Sequence, residues 1–161
     1  MKNLLAAVDF SKMTDAVIRQ SAILAKELDA RLWILHVTSD ETQVVVFESA
    51  QYSDFGEEPV SMFGDVQIAR DLTAEEIKRE HTELQALSSR LRKEGINAQA
   101  LLLTGDAARV ILDKASVLEV ELIILGSHGH GLLHKALLGS VSESVIQHAD
   151  CNVMIVPAKK I

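Results

Sequence analysis

The densest group of chemically useful residues runs from Gly126 to Ser142, Gly-Ser-His-Gly-His-Gly-Leu-Leu-His-Lys-Ala-Leu-Leu-Gly-Ser-Val-Ser. Glycine lets the backbone approach a ligand closely and adopt unusual dihedral angles. The stretch leaves an apolar run, Leu122 to Leu125, and enters a helical pattern at Ser140. Unpaired amides at a helix start, reinforced by the helix dipole, favour an anion such as phosphate. Ser140 and Ser142 add hydroxyl donors. From Leu122 to Ser142 there is no acid, while His128, His130, His134 and Lys135 are placed to offset phosphate charge. A purely structural turn is the alternative reading of the same glycines. Asp9 is the second candidate. It closes the apolar run Leu4 to Val8, either as an acceptor for a ligand or as a strand-end turn residue.

Several other chemistries find little support. His128, His130 and His134 raise a zinc reading, but no acid or cysteine accompanies them locally. Cys151 is alone, so it forms no intrachain disulfide and reads as a small core residue. Gly-x4-Gly-Lys-Ser/Thr and Gly-x-Ser-x-Gly do not occur. Gly129-His-Gly131 does not continue into a complete dinucleotide fingerprint. His36 ends an apolar run and reads as structural, and His81 as a packed or half-exposed helix residue.

The elements that would carry these residues follow from periodicity. Leu4–Val8, Arg31–Val37, Ala98–Leu103, Leu122–Leu125 and Val153–Val156 are short apolar runs of the kind buried on both faces of a parallel sheet. Between them lie helical patterns: Met13–Asp29 with Ser11 or Thr14 as cap, a helix starting at Thr73, Ala107–Val117 after a turn and cap made by Gly105 and Asp106, and Ser140–His148. Thr73 and Glu76 read as a capping box. Ile77, Leu84, Leu87 and Leu91 read as that helix's apolar face, and Gly95 as its stop. Strands alternating with helices imply a doubly wound α/β sheet. At 161 residues the chain is expected to form one domain, 1–161.

Charge is distributed unevenly. The chain carries 16 Lys+Arg and 23 Asp+Glu, a net charge of -7. Asp40, Glu41, Glu48, Asp54, Glu57, Glu58 and Asp65 lie between Thr38 and Ala69, where there is no Lys or Arg. That acidic segment, about 38–71, therefore holds the whole imbalance. It reads as an excursion with apolar anchors (Phe47, Tyr52, Phe55, Phe63), or as a lid or partner surface. An acidic chain disfavours a general grip on nucleic acid. The apolar runs are too short for a signal core or a membrane span. The expectation is a cytoplasmic protein.

The spacing Gly126-x2-Gly129-x9-Gly139-Ser140 is the G-x2-G-x9-G-(S/T) pattern, and on it the chain resembles the ATP-binding universal stress proteins from end to end. Leu4 to Ser11 is similar to that family's first strand and turn, His36-Val37 to the end of its second strand, Thr104-Gly105-Asp106 to its approach to the third helix, and Asp150 to Val156 to its last strand. The resemblance implies a Rossmann-like sandwich of the adenine nucleotide alpha hydrolase-like kind, a five-stranded parallel sheet with four helices. It implies that Asp9 and Val37 bound an adenosine pocket, Asp9 accepting from adenine or ribose. Ala7 and Leu125 would contact the base, and Val8 and His128 also belong to the nucleotide-binding set. Gly126 and Gly129 would pass close to ribose and phosphate. Gly139, Ser140, Val141 and Ser142 would present amides and hydroxyls to the phosphates. ATP, or AMP or ADP, with Mg2+ is the implied ligand, and a homodimer through residues 151–156 the implied assembly. Asn152 stands where many members carry proline. A regulatory nucleotide-binding role is expected. The alternatives are a slow ATPase or phosphotransferase, and an interaction module acting through the acidic segment.

Overall fold

Successive residues of a β-strand point to opposite sides of its sheet, so a continuous apolar strand demands cover on both faces. The computed structural model describes residues 2–38, 62–127 and 138–158, with 62–73 as backbone only. Its described elements alternate: β1 Asn3–Val8, α1 Thr14–Glu27, β2 Arg31–Thr38, α2 Met62–Lys93, β3 Ala98–Thr104, α3 Ala107–Val117, β4 Leu122–Gly126, α4 Ser140–His148 and β5 Asn152–Val156. The five strands form one parallel sheet in the order β3-β2-β1-β4-β5. The expected five-stranded α/β fold with four helices is therefore present.

The sheet divides the core in two. Leu4, Ala6, Val8, Leu32, Ile34 and Ile124 pack with Val17, Ile18 and Ala25 of α1 and with Leu84 and Leu91 of α2. Leu5, Leu35, Ile123 and Leu125 face the other way, onto Ala108, Ile111 and Ala115 of α3 and Val145 of α4. In register, Ala6 lies beside Ile34 on one side and Ile124 on the other, all fully buried.

Local chemistry sets most of the boundaries. Asp106 caps α3, its Oδ1 accepting from Arg109 N–H at 2.9 Å, as the sequence predicts. Gly95 ends α2 with φ +83°, a left-handed value that glycine adopts without strain. At α1 the residue in the cap position is Met13, which makes no side-chain cap bond. Ser11 acts two residues earlier, its Oγ accepting from Met13 N–H at 3.2 Å.

Helix α2 departs from expectation. It starts at Met62, so Thr73 lies inside it and is not its cap. Met62, Val66 and Ala69 already recur at i, i+4 and i+7, a helical period that the acidic composition of the preceding stretch obscures. Ile77 is 37% exposed and is not part of the packed face, whereas Leu84 and Leu91 are buried. A 32-residue helix is about 48 Å long. The eight-residue β2 is only about 26 Å long, so α2 is longer than the sheet that covers it. His81 is exposed. The remainder of the acidic segment, 39–61, lies outside the described residues, as do His128, Gly129, His130, His134 and Lys135.

Candidate functional site

Strand order alone selects one place for a ligand. The chain steps from β1 outward through β2 to β3, then crosses to the opposite side of β1 for β4 and β5. The switch point lies between β1 and β4, and open α/β sheets bind ligands beyond the carboxyl ends of the strands there. Those ends are Val8 and Gly126. The candidates Asp9 and Gly126 follow or close these two strands, so the topology brings together residues more than a hundred positions apart in sequence.

The β4 side is built by a set of backbone clasps. Gly139 N–H donates to Ser127 O at 2.8 Å, and Ser127 N–H to Val156 O at 2.9 Å. Ser142 is buried, and its hydroxyl donates to Gly126 O at 2.8 Å. Ser142 thus holds the start of α4 against the end of β4, and its proton is committed to that bond. This differs from the sequence-based expectation of a phosphate-donating hydroxyl at 142. Gly139 occupies the cap position of α4 in extended conformation, with φ -77° and ψ 159°. The first intrahelical bond runs from Glu143 N–H to Gly139 O at 2.9 Å. The amides of Ser140, Val141 and Ser142 precede it, so they have no intrahelical partner. Ser140 is exposed and Val141 half-buried. The helix dipole adds a partial positive charge at this end.

On the β1 side Asp9 is half-buried. Its Oδ1 accepts from Ser11 N–H at 3.0 Å, which fixes the carboxylate at the turn. Ala7, Val37 and Leu125 all belong to the face covered by α3 and α4. Ala7 and Val37 are half-buried, while the Leu125 side chain is in the core. The Val8 side chain lies on the opposite face, and its carbonyl accepts from His36 Nδ1 at 2.7 Å. At the adjacent strand ends Gly105 N–H donates to Thr38 O at 3.0 Å, and the Thr38 and Thr104 hydroxyls meet at 3.3 Å. Gly105 has φ +139° and a built Cβ would meet Val110 at 3.2 Å, so only glycine suits this turn. His128 and Gly129 lie outside the described residues.

Two features escaped sequence reasoning. The Ser142 clasp had no local signal, since its partner is 16 residues away. His36 reads as structural from its place in an apolar strand, but it touches both neighbours of Asp9. Its Nδ1 bonds the Val8 carbonyl, and its ring lies 4.6 Å from the Phe10 ring at 55°. Cys151 is half-buried. Partial desolvation, and then the Asp150 charge, raise its thiol above the ordinary range, so it is less ionised than a free cysteine.

The fold and the switch-point crevice define an open, parallel-sheet α/β protein of the Rossmann-like kind. The sequence pattern of the universal stress protein family matches residues 1–157, and the chain belongs to that family. It is 32% identical over 157 residues to universal stress protein YxiE of Bacillus subtilis (strain 168), spanning 95% of this chain and 97% of that one. Among solved structures, hypothetical protein MJ0577 superposes with a TM-score of 0.75 at 23% identity, covering 99% of this chain and 98% of that one. A universal stress protein from Archaeoglobus fulgidus, solved in complex with dAMP, superposes with a TM-score of 0.61 at 20% identity over 96% of each chain.

Proposed function

We propose that this protein binds an adenine nucleotide, ATP with Mg2+, at the β1/β4 crevice and acts as a regulatory switch rather than as an enzyme. The observation that carries the proposal is the convergence, at one topological switch point, of the Asp9 carboxylate and the amide-bearing end of α4. The donor set fits the group. Asp9 supplies an acceptor for adenine or ribose. Ala7 and Val37 supply apolar surface, and Leu125 and Val8 contribute through their backbone. Gly126 brings the chain close to the sugar, as Gly129 does in the resemblance, and His128 offsets phosphate charge. The Ser140, Val141 and Ser142 amides and the Ser140 hydroxyl meet the phosphates, and Gly139 leaves room for them. Mg2+ enters as the counter-ion of the phosphates. A relative in the fold that was solved with dAMP supports an adenine nucleotide as the ligand.

Calorimetric titration with ATP and Mg2+ tests this reading, with Gly139→Leu alongside. Saturable binding to the wild type, lost at least about tenfold in the mutant, is the expected outcome, since about 1.4 kcal/mol corresponds to a factor of ten. Equal affinity in the two proteins would show that the pocket is elsewhere.

The assembly belongs to the same proposal. β5 is an edge strand of the sheet, with Asn152 exposed and Val153–Val156 half-buried. Exposed strand edges are natural pairing surfaces, and a homodimer through 151–156 covers this one. Sedimentation at the mass of a single 17.6 kDa chain at micromolar concentration would overturn the dimer.

A further inference from the structure

The residues on either side of Asp9 both touch one residue that does not belong to the crevice. His36, at the carboxyl end of β2, is buried. Its Nδ1 lies 2.7 Å from the carbonyl of Val8, the residue before Asp9. A carbonyl only accepts, so Nδ1 carries a proton. The ring lies against Phe10, the residue after Asp9. Phe10 has φ +56°, a left-handed value that is costly for a bulky residue and persists only when surrounding contacts impose it. The His36 ring is one such contact.

The second ring nitrogen faces a carboxylate. Nε2 is 3.3 Å from Glu80 Oε1, with the two side chains 7% and 17% exposed. His36 Nε2 and the other oxygen, Glu80 Oε2, are both buried with no hydrogen-bond partner among the described residues, so the two side chains meet as an unaligned charge-type contact. A carboxylate accepts from Nε2 only when that nitrogen also bears a proton. A ring whose single proton sits on Nδ1 turns a lone pair toward Glu80, whereas a doubly protonated ring turns an N–H toward it. Glu80 is the charged group that the ring meets at 3.3 Å. On β1 and β3 its register neighbours are Val8 and Leu102. Asp9, a carboxylate, follows β1 between Val8 and Phe10. Removing the proton leaves a nitrogen lone pair facing a carboxylate, and attraction becomes repulsion.

We infer that His36 and Glu80 form a proton-dependent latch that fastens α2 to the β1 turn and so positions Asp9 for its ligand. This deepens the nucleotide reading and rests on it. In the closed, protonated state the Val8 carbonyl, the Asp9 carboxylate and the Phe10 backbone are held together. When the ring gives up its Nε2 proton the attraction to Glu80 is lost, α2 loosens there, and the turn carrying Asp9 is less constrained. His36 and Glu80 are positioning residues, because neither is placed against the ligand.

The test uses the intact chain and nuclear magnetic resonance, following the His36 ring and the Asp9, Phe10 and Glu80 amides from pH 5 to 9. The expected result is that these amides move with the His36 titration, and that Glu80→Gln, which keeps the side-chain volume, uncouples the Asp9 amide from it. Asp9 and Glu80 amides that stay still while His36 titrates would overturn the latch, as would unchanged coupling in Glu80→Gln. The same pH series in ATP and Mg2+ titrations should show affinity falling at least about fivefold with rising pH in the wild type, with a flatter profile in Glu80→Gln. ATP binding with no pH dependence across the His36 titration also overturns the latch. Absence of ATP binding at every pH overturns the nucleotide reading instead, and the amide shifts then decide the latch by themselves.

Discussion

The two faces of this sheet are made from the same strands but carry different work. On the face covered by α3 and α4, the apolar cluster around Leu5, Leu35, Ile123 and Val145 ends at the buried Ser142 hydroxyl bonded to Gly126, and its strands end at Ala7, Val37 and Gly126. On the face covered by α1 and α2, the same apolar packing gives way at the carboxyl edge to Phe10, His36 and Glu80. The period of two along β1 and β2 causes the split: Ala7 and Val37 fall on one side, Val8 and His36 on the other. Under the proposed nucleotide reading, a residue on the crevice face would meet the ligand directly. A residue on the opposite face reaches the ligand only through the backbone of β1. One face is thus suited to recognition and the other to setting the position of what recognises.

The largest effect expected from this division is on stability alone. Leu84, on α2, is 1% exposed and packs within the α1/α2 cluster. Leu84→Ala should cost about 2–5 kcal/mol in urea denaturation, the usual range for emptying a buried leucine site. Ser142→Ala, on the other face, should cost less, about 1–3 kcal/mol, because it strands the Gly126 carbonyl. Its effect on ATP affinity should nonetheless be the greater when each loss is compared with the accompanying loss of stability, since the clasp sets where the α4 amides sit. If Leu84→Ala proves the milder substitution in denaturation, the contrast between a packing face and a recognition face is wrong.

Asp106→Ala sharpens the contrast at the small end. It removes a cap of the same helix layer, on α3, and should cost about 1 kcal/mol while leaving ATP affinity as it was. A calorimetric titration of this variant that showed weakened binding would extend the site to the end of β3.

Sequence reasoning reached far into the fold. Buried strands announce themselves as continuous apolar runs, so all five were placed within a residue or two of their ends, and α4 was bounded correctly at Ser140 and His148. Asp106 and Gly95 were legible because capping and left-handed termination depend on neighbours in the chain. Where composition masked periodicity the reading failed: the acidic residues before Arg70 hid eleven residues of α2 upstream of Thr73. Ile77 failed for another reason. A helical period tells which side of a helix is apolar, but not how far along its length the sheet extends.

The sequence by itself determined the alternation of strands and helices, the glycine spacing of the loop and the family to which the chain belongs. These rest on local propensity, periodicity and motif, all of which are written in consecutive residues. Only the tertiary structure decided that Ser142 clasps Gly126, that His36 holds both flanks of Asp9, and that Glu80 stands against the far side of that ring. Each of these is a contact between residues on different elements. Which polar atoms meet there depends on strand order, register and the depth at which a helix lies on the sheet, and none of those quantities is carried by a single segment.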